Sequence, residues 1–218
     1  MMMNLFSTFD PCTGNLSLNW LSTIIFIMLI PNNFWMKSSK TKMLMMYISM
    51  LLTKEMESLT KNKSIPMIMI PIFMLILSNN LMGLLPYVFT SSSHLVFSMT
   101  MALPLWISLM IFGWTKKTNS MFVHLVPMGT PGILMPFMVL IETTSNIIRP
   151  GSLSVRLSAN MIARHLLMSL LGNTSSKSSM ILSATMIIFI LLILFESAVA
   201  MIQSYVFMTL STLYSSEI

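Results

Sequence analysis

Residues 64–115 form a run of 52 positions without a single Asp, Glu, Lys or Arg, and residues 118–141 add another 24. Each stretch exceeds the roughly 20 residues that carry a helix across a bilayer. Residues 178–195 and 197–216 are also free of charge and are split only by Glu196. With 55% hydrophobic and 8% charged residues and a mean hydropathy of +0.82, this chain of 218 residues lacks the polar surface of a soluble domain. Lipid offers no partner to backbone N–H and C=O groups, so only helices and closed barrels cross it. Unbroken apolar runs, in place of short alternating segments, select helices. The fold class expected is all-α: a polytopic integral membrane protein with about five transmembrane helices, one amphipathic surface helix and two long inclined C-terminal helices forming a hairpin.

The formal charge of +6 is spread along the chain, which disfavours a nucleic-acid surface and reads as topology. Lys37, Lys40, Lys42, Lys54, Lys61 and Lys63 separate the first two apolar segments, and Lys116 and Lys117 separate the next pair. The turn at 91–94 carries no Lys or Arg and the loop at 172–179 carries only Lys177. By the positive-inside rule the lysine-rich loops face the cytoplasm-like compartment. The N-terminus is then outside and the C-terminus inside. Lys37 is the first basic residue, so the start of the chain has neither a basic signal-peptide n-region nor an arginine-rich transit helix. The 27 methionines suggest an organelle genome that reads an extra codon as Met. The lone Cys12 supports no internal disulfide.

One membrane domain, 1–218, divides as follows. A first span covers 16–36, with Trp20 and Trp35 as interface anchors. A surface helix covers 42–59, where Met43, Leu44, Met46 and Tyr47 mix with Lys54, Glu55 and Glu57, a plain polar linker being the simpler alternative. A helical hairpin covers 65–115, turned at Pro86 and 90–93, with Pro71 and Pro104 bending its arms. Long helices at 120–172 and 178–214 follow. The first of these has an irregular entry at His124, Pro127, Gly129, Pro131, Gly132 and Pro136 and an interruption near Pro150 and Gly151. The second is too long for a ~30 Å hydrocarbon core unless it is inclined.

The long pair carries the ionisable side chains Glu142, Arg149, Arg156, Arg164, His165 and Glu196, too many for a helix that faces lipid. Arg156 is the most constraining. A guanidinium holds its proton at any physiological pH, so it must be compensated by an acid, carbonyls or water. Glu196 and Glu217 are 21 residues apart, about 31 Å along a continuous helix and within ~60° in phase, so they reach opposite membrane faces. Asn160 follows Arg156 by one turn and Gln203 follows Glu196 by two, each pair on one face; either amide also serves simply to tie helices together. Arg149 balances Glu142 on the simplest reading. His94 and His124 read as packed or solvated.

Three segments resemble the mitochondrial ATP synthase a-subunit family: Asn79-Asn80-Leu81-Met82-Gly83-Leu84-Leu85-Pro86-Tyr87, the stretch from Ile147 through Arg149-Pro150-Gly151 and Arg156 to Met161, and Glu196-Ser197-Ala198-Val199-Ala200-Met201-Ile202-Gln203-Ser204-Tyr205. The resemblance covers essentially the full length. It implies a non-catalytic, proton-conducting stator beside a rotating ring of small carboxylate-bearing subunits of about two helices each, together with a peripheral stalk, in the mitochondrial inner membrane. It implies that Arg156 faces the ring, drawing an ionised ring carboxylate and blocking a direct leak. It also implies two offset half-channels for the transported proton, one past Glu196 and His165, the other past Glu142 and Glu217, with Asn160 and Gln203 between. The N-terminus would face the intermembrane space and the C-terminus the matrix.

The family usually has glycine where this chain has Arg164. That cation reshapes the entry channel, pairs with Glu196 or reaches away to an interface, and the sequence leaves all three open. The bland alternatives for the site residues are an internal ion pair for Arg156, a solvated tail for Glu217, a satisfied core His165 and a structural Glu196.

No cofactor is expected. Three isolated histidines and one remote cysteine have no metal-ligand spacing, and no glycine-rich phosphate loop is present. The rival class is a haem- or quinone-binding subunit of a respiratory complex, which needs paired intramembrane histidines on facing helices. A secondary transporter is disfavoured because no inverted repeat is visible.

Overall fold

A computed structural model describes residues 5–14, 16–24, 37–60, 64–85, 88–126, 131–175 and 179–217. Six α-helices occur among them: α1 (Lys40–Thr60), α2 (Ser64–Met82), α3 (Leu95–Lys116), α4 (Thr118–Leu125), α5 (Met135–Ser175) and α6 (Ser179–Glu217), with no strand. Short 3-10 turns lie at Leu5–Phe9, Leu18–Leu21, Ser91–Ser93 and Gly132–Leu134. Residues 25–36 of the expected first span lie outside the described residues, and Leu18–Leu21 at its start is a 3-10 turn.

Three described segments are long and apolar enough to cross a membrane: Ser64–Met82, Leu95–Lys116 and Thr185–Ser216. The expected helix α5 is present with 41 residues and α6 with 39, about 60 Å each at 1.5 Å per residue. Both are about twice the ~30 Å thickness of a hydrocarbon core.

Two expectations about α5 need correction. The helix begins at Met135, not near 120; residues 118–125 form the separate α4. Pro136 then sits in the first turn, where its missing N–H is harmless. Nor is the helix interrupted near Pro150 and Gly151. It runs through both, although proline removes one rung of the ladder. Leu153 and Leu157 immediately beyond are buried and anchor that turn.

Packing follows periodicity. In α2 the buried residues Pro66, Met69, Phe73, Ile76 and Asn80 repeat every three to four positions, one stripe of the helix. Met69 and Phe73 meet Leu52 and Met56 of α1 and Met208 of α6. One turn further, Ile76 joins Ala102 of α3, Leu153 and Leu157 of α5 and Phe207 of α6. This second cluster knits four helices and is the centre of the fold.

Small polar residues let the helices approach closely. Ser204, Ser211, Thr212 and Ser215 are buried along α6, and each hydroxyl donates to a carbonyl one turn back. Their polarity is thereby satisfied within the helix and the interface stays narrow. Gly83, at the end of α2, marks the tightest approach: a Cβ there would stand 3.2 Å from the Asn79 carbonyl, Met161 Cε and Thr90 Cγ2. The turn that closes the α2–α3 hairpin is thus pressed against α5.

Candidate proton-conducting site

The α5–α6 pair is joined at two levels. Asn160 Nδ2 donates to Gln203 Oε1 at 3.0 Å, and Arg164 Nη1 donates to the Glu196 carbonyl at 3.0 Å. The second contact answers what the sequence left open about Arg164. At 7% exposure the side chain does not reach an interface; it turns inward across the helix pair.

Around that level lies a first polar site. Glu196 is 3% exposed, and among the described residues its two carboxylate oxygens accept no hydrogen bond and Arg164 Nη2 donates none. His165 packs edge-on against Phe9, with ring centroids 5.9 Å apart. Its Nε2 is buried and makes no hydrogen bond among the described residues. His165 and Glu196 are therefore brought to the same end of the helix pair but not bonded to each other.

Sequence reasoning assigned no role to a group of polar side chains at that same end. Asn79, Asn80 and Ser92 are buried, with Asn80 only 1% exposed, and polar atoms of all three are unpaired among the described residues. Buried polar groups ordinarily find partners, and unpaired ones mark strain, function or internal water. Two adjacent asparagines inside an apolar span were the available signal. His94, two residues beyond Ser92, stacks its ring within 5.1 Å of Trp20 and 5.2 Å of Phe89, and its buried Nε2 is also unpaired among the described residues. It is packed, as expected.

A second polar site lies at the other end. Glu142, Asn146 and Arg149 of α5 and Tyr214 of α6 line a cavity of about 310 Å³ with His124 and Trp106. Arg149 Nη2 stands 3.9 Å from Glu142 Oε1, and its guanidinium lies 5.0 Å from the centroid of the Tyr214 ring. The pairing of Arg149 with Glu142 agrees with the simplest sequence reading. His124 and Tyr214 are additions to it. Glu217 is the last residue of α6, three positions beyond Tyr214; its side chain lies outside the described residues.

Between the two sites stands Arg156. Leu153, Ser154, Leu157 and Ser158 point into the protein, whereas Arg156 is exposed beside Ser152, Val155 and Ala159. No hydrogen bond or ion pair from Arg156 occurs among the described residues. One turn beyond the exposed Arg156, Asn160 is half-buried and bonded to Gln203, which fits the reading of the two amides as a tie between helices. Along the helix, Arg156 is about 12 Å from the level of Arg164 and about 21 Å from that of Glu142. No cluster of three or more His, Cys, Asp or Glu that could hold a metal occurs among the described residues.

The family described as ATP synthase A chain matches residues 16–216. Full-length relatives are similar throughout. The chain is 55% identical over 224 residues to ATP synthase subunit a of Locusta migratoria. It is 54% identical over 225 residues to that of Aedes aegypti and 55% over 223 residues to that of Drosophila melanogaster. In each comparison 100% of both chains is covered.

Proposed function

Because the chain belongs to the ATP synthase A chain family, and is thereby a non-catalytic, proton-conducting subunit of the synthase membrane sector, we propose that its two polar sites are the two halves of one proton path, meeting at Arg156. The first half passes His165 and Glu196; the second passes Glu142 and Glu217. Asn160 and Gln203 fix the helix spacing between them. The partner at Arg156 is a ring of small subunits, each bearing a carboxylate, held in register by a peripheral stalk. The membrane is the mitochondrial inner membrane, with Lys116 and the C-terminus on the matrix side.

One observation carries this reading: an exposed arginine on a long, largely apolar helix pair, with no acid against it among the described residues and a polar site on either side along the helix. A cation fixed at membrane depth needs a counter-charge, and a surface that faces outward takes it from a neighbour. Arg156 attracts an ionised carboxylate, gives a protonated one no ion pair, and cannot itself carry a proton between the halves. A proton that arrives through one half neutralises the ring carboxylate, which then moves into the membrane. On return, the cation favours the ionised form and the proton leaves through the other half.

The test is Arg156→Ala in the assembled complex. ATP-driven proton pumping by inner-membrane vesicles is expected to vanish while subunit composition is unchanged, and Arg156→Lys is expected to recover little, since lysine loses its charge more readily when desolvated. Pumping at the native rate by the alanine variant would refute the assignment.

A further inference from the structure

Arg164 and Glu196 present a feature that the proton path as described does not use. Both side chains are more than nine-tenths buried, yet the guanidinium bonds the Glu196 main chain and not its carboxylate. A helical carbonyl retains a second lone pair after accepting its own helix's N–H. Ala200, one turn on and fully buried, adds no bulk beside it. The cation is thus anchored on the main chain of the residue that carries the carboxyl, with no ion pair between the two, and both carboxylate oxygens and the guanidinium's own Nη2 are without a hydrogen-bond partner among the described residues. An isolated charge buried in this way is strongly disfavoured, and a fixed opposite charge nearby offsets part of that cost.

The other ionisable groups near Glu196 are few. His165 lies beside Arg164 on α5. Helix α2, which packs along α6, contains none, and the Tyr205 hydroxyl of α6 donates to Glu55 Oε2 of α1 at 3.2 Å. Among the described residues, the fixed charge joined to the Glu196 turn is Arg164.

We infer that Arg164 is a positioning residue of the first half of the path, a second fixed guanidinium that holds Glu196 as an anion between proton arrivals. This rests on the reading of Glu196 as a proton relay. The step is simple in its balance: an O–H bond forms at Glu196 as one breaks in an incoming hydronium, which is left as water, the carboxyl becomes neutral, and its proton then passes along the path to the ring carboxylate. Arg164 keeps its proton throughout. Because its anchor is the main chain, it does not have to release the carboxylate for a proton to land there.

The experiment uses the intact complex reconstituted in lipid. The infrared carboxyl band of Glu196 is identified by its loss in Glu196→Gln and titrated with pH in the native complex, Arg164→Gln and Arg164→Lys. An adjacent opposite charge shifts a carboxyl by about 1–3 pKa units, so Arg164→Gln should raise the proton affinity of Glu196 by about tenfold or more. Arg164→Lys, whose ammonium loses its charge more readily when desolvated, should recover only part of the native value, and a purely structural role does not require even that. An unchanged titration in Arg164→Gln, with Glu196→Gln inactive in pumping, overturns the inference and leaves the path standing. Native pumping by Glu196→Gln removes the relay, and the inference with it. Should Arg164→Gln fail to assemble, the double variant Arg164→Gln/Glu196→Gln is expected to restore assembly; its failure where Glu196→Gln alone assembles also overturns the pairing.

Discussion

The Asn160–Gln203 bond sets the helix spacing closest to Arg156, and its contribution can be isolated with a double-mutant cycle. Nδ2 donates to Oε1 at 3.0 Å, and Gln203 is 6% exposed. Truncating either partner leaves a buried amide group unpaired, which costs about 1–3 kcal/mol, whereas removing both leaves no orphan. Interhelical hydrogen bonds in membranes average about 0.6 kcal/mol, with a maximum near 1.7, in such cycles. Because 1.4 kcal/mol is tenfold, Asn160→Ala and Gln203→Ala should fall short of additivity by about 3- to 16-fold. The assay is the rate of irreversible loss of proton pumping by the reconstituted complex at one fixed elevated temperature, which follows unfolding. Each single variant should inactivate faster than the native complex, and the double variant should be slower than the product of the two effects. Strict additivity would refute the claim that this bond holds α5 to α6.

Other positions give sharp contrasts. Gly83→Val places new atoms where a Cβ already stands 3.2 Å from three neighbours; overpacking of about 1–3 kcal/mol should lower complex yield on a native gel. Gly151→Ala, with nothing within 4 Å of the new Cβ, should be neutral or stabilising by up to about 1 kcal/mol in the same assay. Phe207→Ala empties the centre of the four-helix cluster at a residue 1% exposed, and a loss of about 3–5 kcal/mol should abolish assembly. Arg149→Met removes an ion pair whose partners are 27% and 39% exposed, so thermal stability should change by less than about 1 kcal/mol. A larger loss would show that the pair is structural.

Much of the architecture was legible because bilayer physics is strict. Charge-free runs fixed the apolar helices α2, α3 and most of α6, and the two C-terminal stretches implied a pair of long helices. Pro150 misled because the proline rule is local, while the helix is held by Leu153 and Leu157 packing on Ile76, Ala102 and Phe207. The start of α5 was misplaced because the segment from Pro127 to Pro136 signals irregularity without saying where regular structure resumes. At the site, spacing along one helix put Asn160 one turn from Arg156, and the amide is bonded to Gln203 across the helix pair, a tertiary choice no period encodes. Arg164 was visible as an anomaly, yet its acceptor is a main-chain oxygen, and backbone carries no residue-specific signal. Asn79, Asn80 and Ser92 gained meaning only once the hairpin turn was seen against α5.

The central claim concerns what Arg156 meets. A density map of the complete synthase in lipid measures this directly through the distance from the Arg156 guanidinium to the nearest carboxylate. The account predicts a mid-membrane acid on a neighbouring ring subunit, within ion-pair range or bridged by one water. Finding that guanidinium among lipid headgroups, or matched only by an acid of its own chain, would contradict it.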